Sequence, residues 1–122
     1  MNNKCFNCEN LGTNFYLKAS PEAPIKLWIN DFDQNSSFDK VMTRSIDGQD
    51  KPVFLKKDLA EQIVSIKKQN IMHVEYANKT IQDIFPPEKI KQALVKEATY
   101  FKSCVAINDG NGNFSIKALP DA

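Results

Sequence analysis

Histidine, cysteine and glycine are scarce in this sequence, and each scarcity removes a kind of chemistry. There is one histidine, His73. General acid–base sites ordinarily place a partner beside the proton-transferring group, and no nucleophile here stands at a recognisable spacing from a base. His73 reads as a surface or capping residue, and no enzyme activity is expected. Three cysteines are present, Cys5, Cys8 and Cys104, and an odd number does not close a disulfide framework. Cys5 and Cys8 form a CxxC, which is half of a zinc site or a redox pair. No second CxxC follows, and a tetrahedral set would need both Cys104 and His73, neither at ligand spacing. A CxxC-based zinc or redox protein is therefore the lesser alternative. Of the four glycines, Gly110 and Gly112 precede a strand and not a helix, so they make no phosphate-cradling loop.

Long apolar runs are missing as well. None approaches the ~20 residues that a bilayer requires, so membrane insertion is not expected. The stretch from Met1 to Cys8 is polar and does not read as a secretory signal. Either the chain is cytoplasmic or its targeting segment lies elsewhere. Net charge is nearly absent, at +1, and leaves no field to steer the chain to nucleic acid. What remains is ordinary for a globular protein: 122 residues, 42% hydrophobic and 25% charged. That is room for one domain and one modest core.

Residues 1–24 are polar up to Pro21 and Pro24 and read as an irregular arm, in which Phe15 to Leu17 form a short strand or a packed segment. Residues 25–30 alternate Ile25, Leu27 and Ile29 with Lys26, Trp28 and Asn30, a strand pattern. Residues 41–46 form a second strand, ended by the turn signal Asp47-Gly48. The period then becomes helical over residues 57–95. Asp58 and Glu61 have capping-box spacing, and Leu59, Ile63 and Ile66 form an apolar stripe. Ala77, Ile81, Ile84 and Phe85 form another, stopped by Pro86-Pro87. Pro87 suits the first position of a third helix carrying Ile90, Ala93 and Leu94. Strand patterns return over residues 100–108 and 113–119, joined by the turn-rich Asn108 to Asn113. The first of these is apolar on both faces, which predicts a central strand.

The expected architecture is α+β: residues 25–120 as a single unit, a four-stranded antiparallel sheet with a two- to three-helix insertion between its second and third strands. Val41 and Val105 should then share a sheet. The apolar faces of residues 101–107 predict self-association, most simply as a homodimer, and the helical face is a possible site for a protein partner.

One loop carries functional chemistry. Asp31, Asp33, Asn35, Ser37 and Asp39 fall at positions one, three, five, seven and nine. Calcium prefers several oxygens converging from one tight turn, and alternate residues of such a loop point inward; Ser37 would offer its backbone carbonyl. Position six is Ser36 where glycine is favoured, and position twelve is Met42, so the bidentate Glu of an EF-hand is absent. The flanking elements are strands, not helices. The competing reading is a polar hairpin loop whose Asp and Asn side chains bond their own backbone.

The stretch Trp28 to Met42 resembles the strand, D-x-D-x-N/D-G-x-x-D, strand signature of FG-GAP and VCBS repeats, the blades of integrin-α-like β-propellers. Cys104 to Phe114 resembles the later hairpin of such a blade, and Asn10 to Asn14 its entering connection. The whole resembles one blade with a helical insertion, from a bacterial repeat protein of the kind found with ASPIC and UnbV domains. That resemblance implies a noncatalytic binding or structural module, exported or at the cell surface. It also implies that Asp31, Asp33, Asn35 and Asp39 bind calcium. With Ser36 in the turn, the expected affinity is weak, roughly 10⁻⁴ to 10⁻³ M.

Overall fold

The computed structural model describes residues 5–8, 16–69 and 72–120; within 5–8 only the backbone is described. Phe15, Asn10 to Asn14 and the side chains of Cys5 and Cys8 thus lie outside it. The chain divides into two compact units, Ala19–Thr99 and a second one made of Met1–Lys18 with Tyr100–Ala122. Seven strands and five helices are described: β1 (Cys5–Cys8), β2 (Ile25–Asn30), β3 (Asp39–Ile46), β4 (Gln49–Pro52), α1 (Lys56–Gln62), α2 (Ser65–Lys68), α3 (His73–Asn78), α4 (Ile81–Ile84), α5 (Pro87–Gln92), β5 (Leu94–Ala98), β6 (Cys104–Asn108) and β7 (Phe114–Ala118).

The fold is α+β, and the larger unit holds a four-stranded antiparallel sheet in the order β4-β3-β2-β5. Three successive strands run side by side and the fourth returns beside the first, which is Greek-key order. Membership of this sheet differs from the sequence-based expectation. The strands around Val41 and Val105 lie in different sheets, because β6 pairs with β1 on one side and β7 on the other. A single unit over residues 25–120 is accordingly replaced by two, and the arm over residues 1–24 contains a strand. The two stretches that resemble one blade are split between the sheets. β6 is indeed central, but in the three-stranded sheet, where Cys104 and Ala106 are buried.

Two strands replace the missing pair. The turn Asp47-Gly48 has positive φ at both residues, 52° and 74°, the pattern of a two-residue hairpin turn whose twist matches its strands. It folds the polar segment Gln49–Pro52 back onto β3. This edge strand has no apolar alternation; Asp50 is held instead by Lys26 at 3.1 Å and by Gln82 at 3.3 Å. Beyond β4, the side-chain amide of Gln62 takes over the ladder. It donates to the Lys40 carbonyl at 3.1 Å and accepts from the Lys40 amide at 3.4 Å.

Helices cover one face. Register places Trp28 beside Val41 and Val95, and these meet Leu59, Ile63, Ile66, Ile81 and Ile84 in one core. Most members of the sequence's apolar stripes pack here, but Ala77 and Leu94 are exposed, Tyr76 is buried, and the helices are shorter. Asp58 sits inside the first turn of α1, whose N-cap is Leu55. The stripe from Ala77 to Phe85 is broken between α3 and α4, since Thr80 caps α4 reciprocally with Asp83. These bonds hold the Asp83 carboxyl below its usual range. Pro87 opens α5 as expected, but Leu94 belongs to β5.

One buried polar pair ties the sheet face together. Trp28 Nε1 donates to Thr43 Oγ1 at 2.9 Å, and Thr43 is fully buried. Thr43→Val keeps the shape and removes the acceptor, which leaves a buried indole N–H unsatisfied. The expected loss is about 1–3 kcal/mol in denaturant unfolding. A loss below that range would mean that the indole finds another acceptor.

Candidate metal centre

The Asp-rich loop, residues 31–38, is the connection of the β2–β3 hairpin, and Asp39 is the first residue of β3. Its position is set from below. Phe32 points into the core and stacks on Phe85, with ring centroids 4.3 Å apart. With Phe32 inserted, its neighbours Asp31 and Asp33 are held close to the surface, both half-buried. The buried Asp39 carboxylate then accepts the Phe32 amide at 3.0 Å. From the side, α5 grips the same turn. Lys89 Nζ donates to the Asp31 carbonyl and Asn30 Nδ2 to the Lys89 carbonyl, each at 2.8 Å.

Within the loop, Asp31 accepts the amides of Asn35 at 3.0 Å and Ser36 at 2.9 Å, one on each carboxylate oxygen. The Asn35 side-chain oxygen accepts the Ser37 amide at 2.8 Å. These are the self-bonds of a polar hairpin loop, and they account for Asp31 and Asn35. They do not account for Asp33. Its Oδ1 is buried and has no hydrogen-bond partner. A buried carboxylate oxygen left unpaired is costly, on the order of 1–3 kcal/mol or more.

Asp31, Asp33 and Asp39 each place one carboxylate oxygen within 4.8 Å of the others. Calcium–oxygen distances of about 2.3–2.6 Å make its coordination sphere roughly 5 Å across, against roughly 4 Å for magnesium. The three oxygens lie close enough together to share one cation. Burial pushes the Asp39 carboxyl upward, opposed by the Phe32 amide; the charges of Asp33 and Asp31 push it further up. Three carboxylates in one turn thus favour either a proton or a cation. Of the five oxygen donors expected from the sequence, the fold gathers these three carboxylates. Asn35 has one lone pair engaged by Ser37, and Ser37 is exposed.

Ser36 adopts a left-handed conformation, φ 67°, as does Gln34 at 61°. The turn is therefore made without glycine, at a steric penalty of about 1–2 kcal/mol for a residue carrying a Cβ. Ser36→Gly should raise stability by about 1 kcal/mol and tighten calcium binding, both readable from melting curves with and without the ion. A drop in stability would show that the Ser36 side chain contributes more than its backbone loses.

The other Asx-rich turn is a useful contrast. Asp109 accepts the amides of Asn111 at 2.7 Å and Asn113 at 3.2 Å, and the Asn113 side chain at 2.9 Å. Its carboxyl is held below the usual range, chiefly by the Asn113 side chain. This turn closes on itself.

Of the cysteine–histidine set, Cys104 is buried in β6, while His73 is exposed at the start of α3 in the other unit. No helix among the described residues is long and apolar enough to cross a membrane. The chain is thus an α+β protein with an acidic hairpin loop fixed to its core. No protein-family model, curated protein or solved structure matches it.

Proposed function

We propose that this chain is a noncatalytic binding or structural module that holds a calcium ion in the loop of Asp31, Asp33 and Asp39. The observation that carries the reading is the unpartnered, buried Asp33 Oδ1 beside two further carboxylates. A cation gives that oxygen its missing partner and offsets the mutual repulsion of the three charges. Backbone carbonyls, the Asn35 side chain and water would complete the six to eight ligands that calcium takes. The spacing of the loop supports the same reading through its resemblance to FG-GAP and VCBS repeats. That support extends to the loop alone, since the second stretch of the resemblance lies in the other sheet.

The ion's role in this reading is structural. It fastens the β2–β3 connection to the core through Phe32 and to α5 through Lys89. Titration calorimetry with calcium and, separately, magnesium tests it. Saturable calcium binding near one equivalent is expected, with Kd of roughly 10⁻⁴ to 10⁻³ M and weaker magnesium binding. No calcium binding up to concentrations well above that range would reduce the loop to a self-bonded hairpin turn.

A further inference from the structure

The helical side of the larger unit carries a second feature, unconnected with the acidic loop. Two clefts, of about 380 and 370 Å³, share Lys56, Lys57 and His73 and so lie side by side, a pair termed the groove. Its charge is mostly positive, although Asp58 lies near enough to Tyr76 for its charge to be felt there. Arg44, Lys56, Lys57 and Lys67 line it against a single carboxylate, Glu61. The whole chain is +1, so the groove gathers a local excess of positive charge that the rest of the protein balances. Arg44, Lys57 and Lys67 form no ion pair among the described residues.

Its wall is apolar and fixed. Phe54 and Leu55 line the groove and remain 40% and 72% exposed. They are held by their backbone, not by burial. Tyr76, itself buried, donates its hydroxyl to the Phe54 carbonyl at 3.0 Å, and the Val53 amide donates to the Met42 carbonyl at 3.0 Å. An exposed aromatic and leucine on a hydrogen-bonded backbone, beside Arg44, Lys57 and Lys67, is a surface suited to a ligand that is both apolar and anionic.

We propose that this groove binds an acidic peptide segment bearing apolar anchor residues, with the anchors on Phe54 and Leu55 and its carboxylates facing Arg44, Lys57 and Lys67. Nucleic acid fits less well. Sequence-independent binding of single strands uses successive aromatic platforms, and here Phe54 is the exposed ring while Tyr76 is buried. The chain also lacks the net positive field that gathers polyanions.

The probe is a short fluorescent peptide alternating glutamate with leucine and phenylalanine, followed by anisotropy against the full chain. Saturable binding is expected, weakening with added salt. The same peptide with glutamine for glutamate, or with alanine for leucine and phenylalanine, should bind at least about tenfold more weakly. Lys57→Glu with Lys67→Glu should weaken binding of the parent peptide by about tenfold or more. Lys102→Glu with Lys117→Glu makes the same change in charge in the other unit and should leave affinity unchanged. All four lysines are exposed, and circular dichroism melts of both double variants check that the fold is retained. Leu55→Ser tests the apolar wall and should weaken the parent peptide while leaving the salt dependence intact. Equal loss in the two double variants would overturn the proposal, as would absence of saturable binding. Tighter binding of a labelled oligothymidylate than of the peptide would overturn it in favour of a nucleic-acid surface.

Discussion

Calcium in excess should raise the melting midpoint, and a chelator should abolish the rise. At free calcium a hundredfold above Kd, ligand linkage adds about 2.7 kcal/mol. For a unit of this size that corresponds to about 10 °C or more. Asp33→Ala should lose the whole calcium-dependent increment while still folding, since the Asp33 carboxylate accepts nothing at Oδ1 in the fold. Asp33→Asn in chelator should melt above the unsubstituted chain in chelator, because one of three crowded charges is gone. The pH dependence follows from Asp39. Its carboxyl is raised by burial from a usual value of 3.8, so between that value and the raised one the ion-free folded state binds more protons than the unfolded state. Asp39's contribution to ion-free stability therefore improves as pH falls from neutrality through its raised pKa. The calcium increment shrinks over the same interval, since the ion needs the ionised carboxylate. Equal midpoints in calcium and chelator at neutral pH would sink the ion. A calcium increment unchanged in Asp33→Ala would move it elsewhere.

The parts of the fold that were legible in the sequence are those whose signals are local. Alternation of Ile25, Leu27 and Ile29 marked β2, and Pro87 marked the start of α5. The spacing of Asp31, Asp33 and Asp39 marked the loop that the hairpin brings together. What could not be read depends on partners distant in the chain. Leu94-Val95 continues an apolar stripe from Ile90 and Ala93, and locally fits a helix end. It is a strand because the free edge of β2 pairs with it, placing Val95 against Trp28. Strand preference is weak beside such pairing. β4 is almost wholly polar and owes its state to the turn at Asp47-Gly48 and to pairing with β3. The error over β6 and β7 has the same origin. Their alternation identified them as strands, but alternation does not choose a sheet. Pairing with Cys5–Cys8 settled it, and that segment of four residues is too short to show an alternation. In the loop, Ser36 pointed away from a tight turn, yet the turn forms. Asp31 supplies two acceptors, to Asn35 and Ser36, that help hold the left-handed residue in place. The orphaned oxygen of Asp33 was not legible at all, because it depends on the depth to which Phe32 is inserted.

Phe32→Ala should be among the most damaging substitutions in the chain, and the damage should reach the metal. The ring is 5% exposed, stacks on Phe85 and belongs to the main core. Truncating a buried phenylalanine to alanine removes about 3–5 kcal/mol, a large part of the 5–15 kcal/mol that typically holds a domain folded. Phe32 is also the anchor from which Asp31 and Asp33 are suspended, and its amide is the one that Asp39 accepts. Without the ring, that amide and both flanking carboxylates are free to drift, and the three oxygens no longer need to converge. Calcium affinity should fall in parallel with stability. Two controls separate these effects. Phe32→Leu refills most of the space, should lose less than Phe32→Ala, and should keep the calcium response. Phe38→Ala removes a ring from the same loop that is 76% exposed and should change stability by less than about 0.5 kcal/mol. Denaturant unfolding of all three, with and without calcium, is the measurement. If Phe32→Ala binds calcium as the parent chain does at a temperature where it is fully folded, the loop is organised by its own hydrogen bonds and by Lys89, and the core anchor adds stability alone.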